Sequence, residues 1–217
     1  MRTEYFPSPA EFFQHHSIKG FLAEIEGNTL FQAALRAAGI GPCLEIGSYC
    51  GKSTVYLGLA CQQTGNTLYA VDHHRGSEEH QMGEEYHDID LFDASVNKMD
   101  SFPRFRHTLN LALLNETVVP VVASSAVTVR HWKTPLGMVF IDGGHSDEMA
   151  INDCLRWSEK IAVGGLIAIH DIFEKPENGG QGPYLGMQAV LNRGGFELID
   201  RVESLAILKR RDNLVEE

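Results

Sequence analysis

Short apolar segments alternate with helix-like segments through most of the chain. Apolar runs typical of buried strands are predicted at residues 43–46, 67–72, 118–123, 137–142 and 164–171. Helical spacing of apolar residues predicts helices at 52–63, 90–100, 103–114, 146–160 and 184–193, with a short one ending at 132. Two last runs, 196–202 and 205–209, lie close together and predict a terminal hairpin.

This alternation predicts an α/β fold in which crossover helices join parallel strands and cover both faces of a doubly wound sheet. The terminal hairpin would add one antiparallel strand. Residues 1–41 are expected to form a helical segment, since Ser8-Pro9 resembles a helix start and 28–38 carries apolar side chains at helical spacing. The charged residues 210–217 are expected to form a frayed tail.

The composition indicates a soluble globular domain with a small-molecule partner. Of 217 residues, 43% are hydrophobic and 22% are charged, which is ordinary for such a domain. The formal net charge of −11 argues against a nucleic-acid partner, because phosphate binding needs a basic surface. Without a long apolar run or a signal-peptide core, we expect a cytoplasmic protein with no membrane partner. Exposed N-terminal helices could pair, so a homo-oligomer stays open.

The glycine turn, residues 47–51, follows the first predicted strand and is the main candidate for ligand binding. Gly47 and Gly51 allow the backbone to approach a ligand closely. The helix that starts after them offers unpaired N–H groups and the positive end of its dipole. The next strand ends in Asp72, about 20–25 residues past the glycines, where a carboxylate can reach ribose hydroxyls.

One hypothesis for this turn is a phosphate loop. Gly51-Lys52-Ser53 matches the end of a G-x-x-x-x-G-K-[ST] motif, and residues 138–142 resemble the strand whose Asp holds magnesium in nucleotide hydrolases. However, three residues rather than four separate Gly47 from Gly51, so the loop is too small to wrap a phosphate. Glu45 would also repel a triphosphate. For these two reasons, a P-loop-like nucleotide hydrolase ranks as the second of our hypotheses, behind the one described next.

The first hypothesis rests on a resemblance. Glu45-x-Gly47-x-x-x-Gly51, followed by a helix, a strand and Asp72, resembles the first motif of class I S-adenosylmethionine-dependent methyltransferases. The branch it resembles most is that of the small-molecule O-methyltransferases, which carry Phe-Ile-Asp at the end of the fourth strand. Since S-adenosylmethionine (SAM) carries a sulfonium and an ammonium but no phosphate, an acid beside the turn would attract it.

The resemblance covers residues 42–209 and implies a Rossmann-like, mostly parallel seven-stranded sheet whose last strand inserts beside the fifth. It also implies SAM as the cofactor. Ser124 and Ser125 stand where the family often has an acid and small residues near the adenine, but the acid is missing here. The expected cofactor-binding residues are Glu45, Gly47, Ser48, Gly51, Ser53, Asp72, His73, Ser124, Ser125 and Asp142.

A divalent metal is a further implication of the resemblance, at Asp142, His170 and Asp171. These residues end the fourth and fifth strands, which converge at one crevice in an open α/β sheet. His170 departs from the family, which often has a carboxylate there. Since imidazole suits manganese, iron or zinc better than magnesium, the presence and identity of the metal stay open. His145 or His170 is expected to act as general base, because imidazole titrates near neutral pH.

The predicted function is therefore SAM-dependent O-methylation of a small hydroxylated molecule. Whether a divalent metal assists the reaction stays open. A third hypothesis is a cofactor-binding protein without transferase activity, or a metal-dependent oxidation on the same scaffold. Residues 73–88 are long, polar and aperiodic, and we expect them to form a lid over the bound ligands.

Overall fold

The computed structural model describes residues 6–76, 89–144 and 146–211. Its helices are α1 Pro9–His15, α2 Glu24–Ala37, α3 Lys52–Thr64, α4 Phe102–Leu111, α5 Ser125–Thr128, α6 Asp147–Ser158 and α7 Gly182–Arg193. Its strands are β1 Cys43–Ile46, β2 Leu68–Val71, β3 Phe92–Asp93, β4 Lys98–Met99, β5 Val118–Val121, β6 Leu136–Ile141, β7 Ile161–Ile169, β8 Phe196–Val202 and β9 Leu205–Arg210. None of the described helices combines the length and the hydropathy that crossing a lipid bilayer requires.

Seven of the described strands form one sheet in the order β5-β2-β1-β6-β7-β9-β8. The five strands from β5 to β7 pair in parallel. In contrast, β9 is antiparallel to both β7 and β8, so it inserts between β7 and the edge strand. This confirms the predicted fold class, a Rossmann-like, doubly wound and mostly parallel seven-stranded sheet with a C-terminal antiparallel hairpin.

Helices cover both faces of the sheet, because alternate residues of a strand point to opposite sides. Along β6, Met138 and Phe140 are buried in the cluster formed with α1 to α4, while Val139 and Ile141 are buried against α6 and α7. Every residue of β6 is buried, as expected for the middle of a parallel sheet.

The two N-terminal helices pack into the first of these clusters. Phe12 of α1 and Leu30 of α2 are fully buried there, together with Val55 and Leu59 of α3. Helix α2 therefore lies against the body of the sheet. Its first turn reaches the carboxyl end of β7, where Glu26 contacts a histidine that follows the strand.

The helix predicted at residues 90–100 is wrong. The structure has a 3₁₀ turn followed by the short antiparallel pair β3 and β4, with Phe92 opposite Met99. Asp93 Oδ1 accepts hydrogen bonds from the N–H and the hydroxyl of Ser95, at 3.0 and 2.6 Å, and Asn97 has a φ of 54°. Such local side-chain bonds compete with helical hydrogen bonds, so this segment turns back on itself.

Candidate functional site

A cleft of about 640 Å³ lies at the carboxyl ends of the parallel strands. This is the edge at which open α/β sheets bind ligands. The predicted site residues that line the cleft are Gly47, Ser48, Ser53, Asp72, His73, Ser124, Ser125, Asp142, His170 and Asp171. Predictions made for His145, for the lid over residues 77–88 and for the tail beyond residue 211 lie outside the described residues.

The glycine turn is pressed against the end of β6. Gly47 has a φ of 86°, and a Cβ there would stand 1.9 Å from the carbonyl oxygen of Asp142. Gly51 has a φ of 92°, and its Cβ would stand 3.1 Å from Thr108 Cγ2. Both backbone conformations favour glycine. Gly47 thus lets the ends of β1 and β6 come together, and Gly51 lets the turn pack against α4.

Glu45 lies beneath the glycine turn and does not face the cleft. Its side chain is fully buried, and its oxygens accept hydrogen bonds from Ser53 Oγ at 2.5 Å and Thr54 Oγ1 at 2.6 Å. Burial raises the pKa of Glu45 to about 7, although both hydroxyls act in the opposite direction. The carboxyl group therefore ties the first turn of α3 to β1 and supports the turn from below.

Asp72, at the end of β2, connects the glycine turn to the neighbouring strand. Its Oδ2 accepts the N–H of Tyr49 at 2.8 Å, and its Oδ1 accepts the N–H of His74 at 2.7 Å. A carboxylate oxygen has a further lone pair, so each oxygen can still accept a hydroxyl. The adjacent His73 is exposed at the cleft and its Nδ1 accepts the N–H of Arg75. Asp72 therefore lines the cleft with oxygens that can accept hydrogen bonds from hydroxyl groups.

Asp142, His170 and Asp171 form a compact group at the ends of β6 and β7. His170 Nδ1 lies 3.1 Å from Asp142 Oδ1 and 3.4 Å from Asp171 Oδ1. Its Nε2 lies 3.0 Å from Glu26 Oε2. One ligand atom from each of the three cleft residues lies within 4.8 Å of the others. Asp171 has a φ of 55°, which turns the chain sharply after β7.

This donor set fits a divalent cation. It offers two carboxylate oxygens and the Nδ1 of an imidazole whose other nitrogen faces the carboxylate of Glu26. Metal-binding histidines in proteins usually donate their second N–H to a carboxylate, a backbone carbonyl or water, and Glu26 is such a partner. Because one donor is an imidazole nitrogen, manganese, iron or zinc fits better than magnesium.

The same contacts argue against His170 as a general base. Burial lowers the pKa of His170, but the hydrogen bonds and charges of Asp142 and Asp171 outweigh this and raise it to about 11. Near neutral pH the ring is then an imidazolium with both nitrogens facing carboxylates. It has no nitrogen available to take a proton from an acceptor, and a metal ion would have to displace the Nδ1 proton.

Glu26 was not predicted as a site residue. It is buried, with 3% of its surface exposed, and besides His170 it accepts the N–H and hydroxyl of Ser204 at 2.9 and 2.8 Å. Burial raises the pKa of Glu26, but the His170 and Ser204 hydrogen bonds outweigh this and lower it. The signal in the sequence is a charge on an apolar face, since Glu26 is in helical register with Leu30 and Ala33.

Asp153 is a second residue that was missed. It lines the cleft from α6, and its Oδ1 accepts a 2.5 Å hydrogen bond from Ser125 Oγ. Burial raises the pKa of Asp153, although Ser125 and Arg156 act in the opposite direction. Ser124, in contrast, caps α5 by accepting the N–H of Val127 at 3.4 Å.

A family model described as a methyltransferase domain matches residues 44–172. The chain is similar in fold to the O-methyltransferase TomG from Streptomyces achromogenes, solved with SAM, at 15% identity and a TM-score of 0.62, covering 94% of this chain and 86% of that one. It is similar to the O-methyltransferase NovP at 17% identity and a TM-score of 0.65, covering 86% of this chain and 79% of that one. It is also similar to an O-methyltransferase from Bacillus cereus, solved with S-adenosylhomocysteine (SAH), at 14% identity and a TM-score of 0.60, covering 97% of this chain and 94% of that one.

The matched residues run from β1 to the residue after Asp171, so they include the glycine turn, Asp72 and the strand ends with Asp142 and His170. Glu26 lies outside them. The match spans more than half of the chain and concerns methyl transfer, which decides against nucleotide hydrolysis for the glycine turn. The chain therefore belongs to the methyltransferase domain family, as the resemblance to class I SAM-dependent methyltransferases predicts.

Proposed function

We propose that this protein is a SAM-dependent methyltransferase that methylates a hydroxyl group of a small molecule. The observation that carries the proposal is that the glycine turn, Asp72 and the group Asp142, His170 and Asp171 open into one cleft. The family match supports methyl transfer, and three similar structures named O-methyltransferases support a hydroxyl acceptor. The net charge of −11 supports a small acceptor over a nucleic acid.

In this proposal the cofactor lies across the glycine turn, with its ribose at Asp72 and its adenine towards Ser124 and Ser125. Gly47 lines the cleft with its backbone alone. Glu45 contributes indirectly, because its hydrogen bonds to Ser53 and Thr54 hold the start of α3 in place.

The acceptor is placed on the side of the cleft nearest Asp171. Phe21 and Phe173 line the cleft there, and both also line a neighbouring cavity of about 640 Å³ beside the turn between β8 and β9. Lys52 Nζ donates a 3.3 Å hydrogen bond to the carbonyl of Gly20, which holds the N-terminal wall against α3. Orientation of the acceptor oxygen against the methyl group supplies much of the rate in such transfers.

Asp142, His170 and Asp171 would hold a divalent cation beside the acceptor. Such an ion, when bound, stabilises the deprotonated acceptor oxygen as a Lewis acid. Glu26 keeps the imidazole of His170 turned so that Nδ1 faces the two carboxylates. His145 follows Asp142 by three residues, and we keep it as the candidate base.

The direct test is transfer of a labelled methyl group from SAM to a panel of small hydroxylated molecules. We expect labelled product with at least one acceptor, lost on chelation and restored by Mn²⁺, and reduced at least tenfold by Asp142→Asn. Full activity after chelation would remove the metal from the proposal. Oxidation of the acceptors without methyl transfer, or ATP hydrolysis alone, would contradict the proposed function itself.

A further inference from the structure

Three side chains form a hydrogen-bonded chain that runs from the core into the cleft. The Nε1–H of Trp157, which is fully buried, lies 2.8 Å from Ser125 Oγ. Ser125 Oγ lies 2.5 Å from Asp153 Oδ1. Asp153 and Trp157 are one helical turn apart on α6, and Ser125 begins α5. Two elements that follow different strands are therefore joined at the wall of the cleft.

The direction of these hydrogen bonds is determined by chemistry. An indole nitrogen only donates, so Ser125 Oγ accepts from Trp157 and gives its own proton to Asp153. This engages Oδ1 of Asp153. Within the described residues Oδ2 has no hydrogen-bond donor, and it lies 3.5 Å from where a Cβ of Gly143 would stand. A hydrogen-bond acceptor of a half-buried side chain is thus held beside the backbone that follows β6.

Asp153 lies against the segment that follows β5, where the proposed placement of SAM puts the adenine. That segment, Val122-Ala123-Ser124-Ser125, carries no acid of its own. Asp153 also lines the cleft. Helix α6 therefore supplies a carboxylate at this end of the cleft.

We propose that Asp153 recognises the adenine base of the cofactor by accepting a hydrogen bond from its exocyclic amino group. This inference rests on the proposed placement of SAM. A 6-aminopurine offers N–H donors at that position, whereas a 6-oxopurine offers a carbonyl oxygen that faces Asp153 without a proton between them. Unpaired polar groups in a partly desolvated site discriminate strongly between such ligands.

The test compares two ligands by calorimetry, S-adenosylhomocysteine and its deaminated analogue S-inosylhomocysteine. The wild type should bind the adenosyl form at least about tenfold more tightly. Asp153→Ala should weaken the adenosyl form and reduce this ratio to about twofold or less. Asp153→Asn should lower or invert the ratio, because its amide N–H can donate to the carbonyl oxygen of the inosyl form.

Asp147→Asn is the matched control, since it makes the same chemical change on the same helix at an exposed residue outside the cleft. It should keep the wild-type ratio. Thermal unfolding checks that the Asp153 variants remain folded, and a change in the ratio of two affinities reports recognition rather than stability. The inference is overturned if the wild type does not discriminate, or if both Asp153 variants keep its ratio. Failure of the wild type to bind either ligand would overturn the proposed function as well.

Discussion

At the scale of single residues, close packing decides what the glycine turn tolerates. Gly47 combines a φ of 86° with a position in which a Cβ would meet the carbonyl oxygen of Asp142 at 1.9 Å. Contact with backbone cannot be relieved by rotating a side chain, so β1 and β6 would have to separate. Gly39, in contrast, has nothing within 4 Å of the same position.

We therefore expect Gly47→Ala to destabilise the protein by at least about 2 kcal/mol, through backbone strain and a steric clash. Binding of S-adenosylhomocysteine should also fall at least tenfold, since the turn would shift. Gly39→Ala should change the stability by less than about 1 kcal/mol in either direction. Urea unfolding and calorimetry measure both quantities, and equal effects of the two substitutions would contradict this view of the turn.

The buried carboxyl of Glu45 predicts a pH dependence of stability. Its pKa is raised from 4.5 to about 7 in the folded protein, so the folded state binds the proton more tightly than the unfolded state. The stabilisation from this proton is complete below about pH 4.5 and is lost as the pH rises to about 7. Above that range the charged form opposes folding.

The variant Glu45→Gln keeps the shape of the side chain but does not titrate. Relative to the wild type, we expect its free energy of unfolding to rise between pH 5 and pH 8 by about 1–3 kcal/mol. Denaturant unfolding at several pH values measures the difference. A constant difference across this range would show that Glu45 is ionised in the folded state throughout.

At the scale of elements, the first turn of α2 is part of the site. Glu26 links His170, after β7, to Ser204, between β8 and β9, and the contact with Ser204 joins residues 178 positions apart. The helical pattern of α2 could be predicted from its apolar residues, and the group Asp142, His170 and Asp171 from the rule that strand ends converge. The partner of a buried charge could not, because it depends on how α2 lies on the sheet.

Removal of this carboxylate should affect both stability and metal binding. Glu26→Ala leaves the buried His170 without its Nε2 partner, so we expect the free energy of unfolding to fall by about 3–5 kcal/mol. Glu26→Gln, which can still accept from His170, should be milder in stability yet weaken Mn²⁺ binding at least tenfold. Glu24→Ala, an exposed residue on the same helix, is the control and should leave both unchanged within error. Equal Mn²⁺ affinities in Glu26→Gln and the wild type would show that Glu26 does not position His170.

The segment at 90–100 shows where element prediction fails. Its composition is compatible with a helix, but Asp93, Ser95 and Asn97 favour turn conformations and close a short strand pair instead. Local hydrogen bonds of this kind depend on exact geometry, which apolar spacing does not report.

At the scale of the whole molecule, the order of strands follows from the chain order and the crossover rule, together with the resemblance of the glycine turn to a known family. The sheet brings five strand ends to one edge, and the site residues predicted from sequence are largely those at that edge. The sequence does not reveal how deeply each side chain is buried or which helix brings it to the site. Glu45 lies under the surface of the cleft. Asp153 reaches the cleft and Glu26 reaches His170 from helices on opposite faces of the sheet.

The central claim is that the glycine turn and Asp72 hold a cationic nucleoside cofactor without phosphate. Calorimetric titration of the purified protein with S-adenosylhomocysteine, and separately with ATP and Mg²⁺, tests it most directly. We expect one site per chain for S-adenosylhomocysteine, weakened at least tenfold by Asp72→Ala, and no binding of ATP. Binding of ATP without any binding of S-adenosylhomocysteine would contradict the claim. An Asp72→Ala variant that binds S-adenosylhomocysteine with wild-type affinity would contradict it as well.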